Sequence, residues 1–496
     1  MVLSLSMIAS CTKLEPNEQD SIVIKESGSG TTSGDAVALL ESSYKDLDAF
    51  CDQANLYAMY EHTSDELIPP TRGTDWGDNG VWRTLYSHTW DATHQQVRDN
   101  WNNLNSRSYK TNQVLAAGNV KPEQAAEAKF LRAFYMFYVM DLYGQVPFRA
   151  ITDGVDVNPK VFSRSEAFDF IVKDLTEALP KLTSIGPKAT NTTASKAAAY
   201  ALLARLYLNK AVYTAASAEG PFTFAPADMT KVVEYCDLVT AEGFSLEGKD
   251  NYFNNFTLNA KNEIILTVRH DSGTPQNRIY MVLHYDQKPS GWNGFATLAD
   301  FYNKFEDSDD RKHGKSPAAK GEDYYGIQRG FLEGQQYNDK GDPIINSRNN
   351  KPLAFTKDVT LSGASTEKGI RVMKYHPKDY DAGAQYVLLR YADVYLMKAE
   401  AIMRGGTGTP PALKMVNDLR DSRKASALTK LDEAAMLDER GRELYWEGLR
   451  RMDLIRFGKF NTTWSEKTNT EAFRNLFPIP QIAIDSNPNL KQNPGY

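Results

Sequence analysis

Four of the 7 tryptophans, Trp76, Trp82, Trp90 and Trp101, fall in one short stretch of the chain. Around the first of them runs Leu67-Ile-Pro-Pro-Thr-Arg-Gly-Thr-Asp-Trp-Gly-Asp-Asn-Gly80, whose Pro and Gly content predicts a loop. Sugars offer flat C–H faces that stack on aromatic rings, and hydroxyls that pair with Asp, Asn and Arg. Arg72, Asp75, Trp76, Asp78, Asn79 and Trp82 supply both kinds of group. A second loop, Asp286-Gln-Lys-Pro-Ser-Gly-Trp-Asn-Gly294, places Trp292 and Asn293 between glycines. The expected ligand contacts are therefore Arg72, Asp75, Trp76, Asn79, Trp82, Trp292 and Asn293. Trp90 and Trp101 lie near or in a helix predicted over about 94–117 and are expected in the core.

Other chemistries find less support. Gly314-Lys315-Ser316 ends like a phosphate-binding loop, but Asp309 stands where that loop needs its first glycine. No Gly-x-Ser-x-Gly elbow occurs. The histidines at 62, 88, 94, 270, 284, 313 and 376 never form a His-x-x-x-His pair, and the 3 cysteines are too few for a multi-cysteine metal site or a disulfide scaffold. Acidic residues number 63, so carboxylate pairs of the kind a glycosidase uses occur throughout and single out nothing. The acidic run Glu306-Asp-Ser-Asp-Asp-Arg311 lacks calcium-loop spacing and reads as a solvated turn. With a net charge of −6, a broad basic surface for nucleic acid is not expected.

The N-terminal residues to Ser10 are apolar or small, and Ile8-Ala-Ser-Cys11 resembles a lipobox, in which two small residues expose a cysteine to acylation. Residues 1–10 read as a truncated lipoprotein signal peptide, although the basic start and long apolar stretch of a full one are missing. Residues 11–35, with Glu26-Ser-Gly-Ser-Gly-Thr-Thr-Ser-Gly34, read as a flexible tether after a lipidated Cys11. No later apolar run is long enough to span a membrane.

These groups need a scaffold, and the apolar spacing supplies one. Helical periodicity dominates residues 36–242 and 384–457. Leu131, Phe134, Tyr138 and Leu142 recur at helical spacing before Gly144 and Pro147 stop the run. Leu388, Tyr391, Tyr395, Ala399 and Ile402 do the same between Gln385 and Arg404. Further helices are expected near 163–182, 194–217, 228–242, 410–424 and 432–447. Leu203-Ala204-x-x-Tyr207 has the leucine, small residue and tyrosine spacing of tetratricopeptide helices, without a strict period. Glu439-Arg440-Gly-Arg442-Glu443 reads as a helical cluster of i,i+3 and i,i+4 ion pairs. Residues 243–383 are loop-rich, with short strand-like runs such as Asn262–Arg269, and 458–496 form an irregular C-terminal segment.

Four stretches together resemble the SusD/RagB family of outer-membrane nutrient-binding lipoproteins: Phe130–Pro147, Leu389–Ala401, Glu439–Gly458, and Phe477-Pro-Ile-Pro480 with the closing Gln492-Asn-Pro-Gly-Tyr496. Their order covers 36–496 as one SusD-like domain. The resemblance implies a mainly α fold, a tetratricopeptide-like helical scaffold carrying a large irregular insertion. It also implies a non-enzymatic surface lipoprotein without a cofactor, which binds a carbohydrate ligand and caps a SusC-like TonB-dependent transporter at the outer membrane. Peptide binding, as in some members, is the runner-up reading, and a glycan-processing hydrolase is the alternative from another class. Within the matched motifs Arg390, Asp393, Arg440 and Asp453 are expected to form core ion pairs.

Overall fold

The helix Pro122–Tyr143 forms because Pro122 fits its first turn and Gly144, at φ 72°, ends it in the left-handed region. From Phe130 to Tyr143 every residue except Arg132 is buried. Leu131, Phe134, Tyr138 and Leu142 are thus in the core as expected, but they are not one face of an amphipathic helix. The helix is central, flanked by Gln95–Ala116, Arg164–Ala178 and Ala36–Lys45. Phe134 meets the rings of Phe50 and Tyr138 at 5.5 and 5.2 Å. The computed structural model describes residues 34–154, 156–269 and 276–496, so Cys11 and the tether before Gly34 lie outside the described residues.

Lys196–Leu208 packs against Pro226–Ala241 and Tyr391–Met403. Its alanines 197, 198, 199, 201 and 204 are buried, letting the neighbouring backbones close in. Tyr207 fills the margin beside Tyr235 at 5.7 Å. The scaffold is mainly α, as read from the sequence. The helix expected over 194–217 breaks at Asn209, whose amide bonds the Arg205 carbonyl at 2.9 Å, and a short helix Lys210–Tyr213 follows.

A second expectation is corrected at 385–390. Val387–Arg390 is a strand antiparallel to Ile264–Thr267, and the helix begins only at Tyr391. The run Val-Leu-Leu satisfies a buried strand as well as a helix, and the Tyr391 N–H donates to the Glu263 carbonyl at 2.8 Å. The loop-rich middle otherwise carries a small sheet in which Arg329–Leu332 lies between Arg371–Met373 and His313–Gly314. One hydrophobic cluster runs from Leu39 to Leu490 through all these parts. The C-terminal segment is tied to the central helix, since Phe477 N–H donates to Leu142 O at 2.8 Å and the Asn493 amide to Tyr143 O at 2.9 Å.

Buried ion pairs tie these elements together. Arg440 donates to Asp393 and Asp453, both at 2.8 Å, as the motifs suggested. Arg390 donates to Glu263 and Glu443, also at 2.8 Å. Within Glu433–Leu444 only Arg442 to Glu439, at 2.7 Å, is an i,i+3 pair; the other acids and bases reach across to other elements. The 306–311 run is a solvated turn only at Asp307 and Ser308, which are exposed. Asp309 and Arg311 are buried and paired at 2.7 Å, Arg311 reaches Glu439 at 2.7 Å, and Glu306 accepts from Arg420 at 2.5 Å.

Truncating Phe134 to Ala leaves a cavity among aromatic rings, and unfolding free energy should fall by about 3–5 kcal/mol. Denaturant unfolding checks this. Acid should also unfold the protein. Burial raises the Glu439 carboxyl, but Arg311, Arg442 and Arg420 more than reverse this and hold it at about 2 against an ordinary 4.5. Arg456, Arg404 and Arg440 do the same for Glu400, also to about 2. A carboxyl lowered in the folded state stabilises it fully above its unfolded value and loses that contribution as pH falls through the folded one. Thermal midpoints should therefore drop between about pH 4.5 and 2; a midpoint flat across that window would contradict the pairing.

Candidate functional site

The two tryptophan loops meet. Ile68 and Ala296 exchange backbone hydrogen bonds at 2.8 and 3.1 Å, which docks the first loop on the segment after the second. Past a tight turn in which Arg72 and Asp75 pair through their backbones, Trp76, Asp78, Asn79 and Gly80 all take positive φ, at 61°, 35°, 52° and 84°. Gly, Asn and Asp visit this region readily, whereas a tryptophan there is held by its surroundings. The Trp76 indole N–H donates to the Trp292 carbonyl at 2.8 Å, and its ring lies 4.6 Å from Phe295, 6.2 Å from Trp82 and 6.4 Å from Trp292. Gly294 makes this approach possible, because a Cβ there would sit 2.5 Å from the Trp76 ring. Trp292 is 39% exposed and lies beside Tyr280 with ring centroids 6.2 Å apart. Exposed Trp292 with half-buried Trp76 and Tyr280 thereby forms a partly exposed aromatic surface.

The expected contact residues divide into two groups. Asp75, Trp76, Asn79 and Trp292 reach the surface. Arg72, Trp82 and Asn293 do not, and act from beneath. Arg72 is 1% exposed; it donates to the carbonyls of Ser365 at 2.6 Å and Lys368 at 2.8 Å, so its guanidinium clamps the 365–368 loop instead of facing solvent. Asn293 is fully buried, accepts from Arg371 at 2.7 Å and donates to Thr366 O at 3.1 Å. Trp82 is 7% exposed, with its indole N–H on the Asp78 carboxylate at 2.6 Å. Trp90 and Trp101 are core residues: Trp90 donates to the Tyr496 hydroxyl at 2.7 Å, and Trp101 meets Tyr143 edge-on at 5.1 Å.

The structure adds groups that no local spacing marked. The Tyr285 hydroxyl donates to Asp75, and burial together with that bond raises it to about 12, so it stays a neutral donor. Arg348 stacks over Tyr285 at 4.6 Å and reaches Asp75 at 3.4 Å. Below the platform His62 packs edge-on against Phe295 at 4.3 Å and tilted against Trp82 at 5.1 Å. Burial lowers it to about 3, and both its ring nitrogens lack hydrogen-bond partners among the described residues, so it serves as a neutral aromatic floor. Flat rings ringed by a carboxylate, an amide and a guanidinium suit an apolar face edged with hydroxyls.

Family models match both halves of the chain: one described as "SusD family" over residues 262–496, the other as "Starch-binding associating with outer membrane" over 36–208. The starch-binding protein SusD of Bacteroides thetaiotaomicron is 29% identical over 419 residues, spanning 75% of this chain and 73% of that protein. A SusD superfamily protein from Parabacteroides distasonis has a similar fold, with TM-score 0.70, 20% identity, and 93% and 98% of the two chains covered. So does surface glycan-binding protein A from Bacteroides thetaiotaomicron, solved in complex with laminarihexaose, with TM-score 0.65, 18% identity, and 92% and 98% covered.

The close approach at Gly294 gives a direct check. In Gly294→Ala the new methyl overlaps the Trp76 ring and the Met281 carbonyl, so the indole must move and lose its bond to Trp292. Near-ultraviolet circular dichroism should lose tryptophan intensity while the far-ultraviolet helix signal holds. An unchanged tryptophan band would show that the ring does not rest there.

Proposed function

Because the chain belongs to the SusD/RagB family, we propose that it is a surface lipoprotein that captures oligo- or polysaccharide on the Trp76–Trp292 platform and delivers it to a SusC-like TonB-dependent transporter. The observation that carries this reading is the meeting of two tryptophans 216 residues apart, Trp292 exposed and Trp76 half-buried beside it. A relative that binds starch and a similarly folded protein bound to laminarihexaose support the ligand class. In this reading Cys11 carries the lipid that holds the protein at the outer membrane, and no helix of the described residues is long and apolar enough to cross one. The protein acts by binding, without catalysis.

Trp292→Ala should weaken binding of the cognate glycan tenfold or more, roughly 1.4 kcal/mol. Its melting temperature should stay near wild type, because the ring is exposed. Trp76→Ala should lose binding similarly but also some stability, since its ring packs on Phe295. Trp101→Ala should lower stability with little direct effect on affinity. Titration calorimetry against a panel of polysaccharides and peptides, paired with thermal unfolding, separates these outcomes. Normal glycan binding by both platform variants would place the site elsewhere. Capture of peptides alone would favour the peptide-binding reading, and sustained release of sugar products would make the protein a hydrolase.

A further inference from the structure

A cleft of about 380 Å³ opens between helix 95–116 and the strand Val146–Phe148 that follows the central helix. Tyr109, Pro147, Phe148 and Pro159 make its walls. Phe148 is fixed there by Phe162 and Phe170, at 5.7 and 5.1 Å, while Tyr109 stands 37% exposed. Among these apolar walls are three polar groups with spare capacity. Ser108 is 95% buried by the fold, being 5% exposed, yet its hydroxyl bonds nothing among the described residues. Asn105 spends its NH₂ on the Trp101 carbonyl at 2.8 Å and leaves its own carbonyl oxygen open. The Tyr109 hydroxyl likewise has no partner among the described residues. Asn112, by contrast, is fully used, donating to Arg149 O at 3.0 Å and accepting from Arg132 at 2.8 Å.

The lining of the cleft holds no carboxylate and one guanidinium, whose hydrogen bonds are already committed: Arg149 donates to the carbonyls of Gly154 at 3.0 Å and Val157 at 2.6 Å. An apolar pocket with a few convergent polar groups is the usual make-up of a small-ligand site. A purely apolar occupant would seal the Ser108 hydroxyl away from water with no partner, which is unfavourable. A pyranose ring meets both demands, with a C–H face for the rings and hydroxyls for the polar atoms.

We propose that this cleft is a second carbohydrate subsite that takes one pyranose ring of a neutral glycan, stacked between Tyr109 and Phe148 and hydrogen-bonded to Ser108 Oγ and Asn105 Oδ1. The proposal rests on the reading that the chain binds glycan, and it adds a grip separate from the tryptophan platform. Two weak grips on one polymer act together, because the second is made at the high effective concentration set by the first.

The test uses crystals of the full chain soaked separately in the methyl pyranosides of glucose, galactose, mannose and xylose, and in indole as a mimic of an apolar side chain. The same pyranosides are titrated in solution by saturation-transfer NMR against wild type, Tyr109→Ala and Ser108→Ala. Pyranoside density in the cleft, with affinity at that site falling at least tenfold in Tyr109→Ala and measurably in Ser108→Ala, supports the subsite. Indole in the cleft with no pyranoside, an empty cleft, or pyranoside binding indifferent to both substitutions each overturns it. A platform that takes pyranosides beside an empty cleft overturns the subsite and leaves the proposed function standing. An occupied cleft beside an empty platform keeps the subsite and overturns the platform reading.

Discussion

Glu443 is fully buried and accepts from three arginines delivered by three different segments: Arg311 at 3.2 Å, Arg390 at 2.8 Å and Arg423 at 3.0 Å. A carboxylate taken that far from water is tolerable only when donors surround it. Each of those arginines holds a second carboxylate: Arg311 holds Asp309 and Glu439, while Arg390 and Arg423 share Glu263. Such a lattice gains little over apolar packing of equal volume, but losing one partner costs about 3–5 kcal/mol. It therefore penalises every arrangement in which the segments fail to meet. Glu263, the Asp309–Arg311 turn and Lys374 are the points at which the loop-rich middle is fastened to the helices, Lys374 through Glu447 at 2.7 Å. Irregular chain can then run between fixed points without a long sheet to support it.

The platform is built by a different electrostatic rule. Arg72 and Arg371 are buried beneath it, yet they donate to carbonyls and to the Asn293 amide and make no carboxylate pair among the described residues. Burial lowers Arg72 to about 10, and burial also lowers Arg371, with Arg72 adding repulsion. Arginine keeps its charge in proteins, so both are cations held by backbone dipoles that belong to the 365–369 loop. That loop is thereby pulled against the tryptophan loops, and a second fixed layer keeps Trp76 and Trp292 in register. Rigidity under the rings matters because a flat platform has no walls to orient what lands on it.

What the sequence reveals follows the range of the interactions involved. The helices were legible because their periodicity is local, and even the tyrosine at the margin of helix 196–208 showed in its spacing. The two tryptophan loops were legible because Trp beside Asp, Asn and Gly is seldom a core pattern. Their meeting was not, since it depends on Ile68 against Ala296 and on Gly294 beneath Trp76, contacts that no short window contains. Arg72 and Asn293 look like solvent groups within Gly- and Pro-rich sequence; only the tertiary fold shows the carbonyls that consume them. The 306–311 run misleads for the same reason, because its local charge density says nothing of Glu439, which takes Arg311, or of Arg420, which reaches Glu306 from helix Ala412–Ser422. Tyr280, Tyr285 and Arg348 carried no signal at all, being single residues in unpatterned chain.

The shape of the platform bears on what it can recognise. A cleft that closes around a ligand reads its ends and its full outline, whereas an exposed face such as that of Trp292 meets only the stretch of ligand laid across it. In the proposed reading a polymer binds anywhere along its length, and the free energy of each contact stays small. In the proposed reading the carboxylates at the rim serve as fixed acceptors. Asp75 is occupied by the Tyr285 hydroxyl and Arg348, and Asp78 by the Trp82 indole, so each is fixed as an acceptor. Glycoside hydrolysis needs two carboxyls facing one bond from opposite sides, one of them free to carry a proton. Here the acids hold aromatic side chains by their polar groups, Asp75 the Tyr285 hydroxyl and Asp78 the Trp82 indole, so in the proposed reading the exposed ring of Trp292 is the part of the surface left for a sugar.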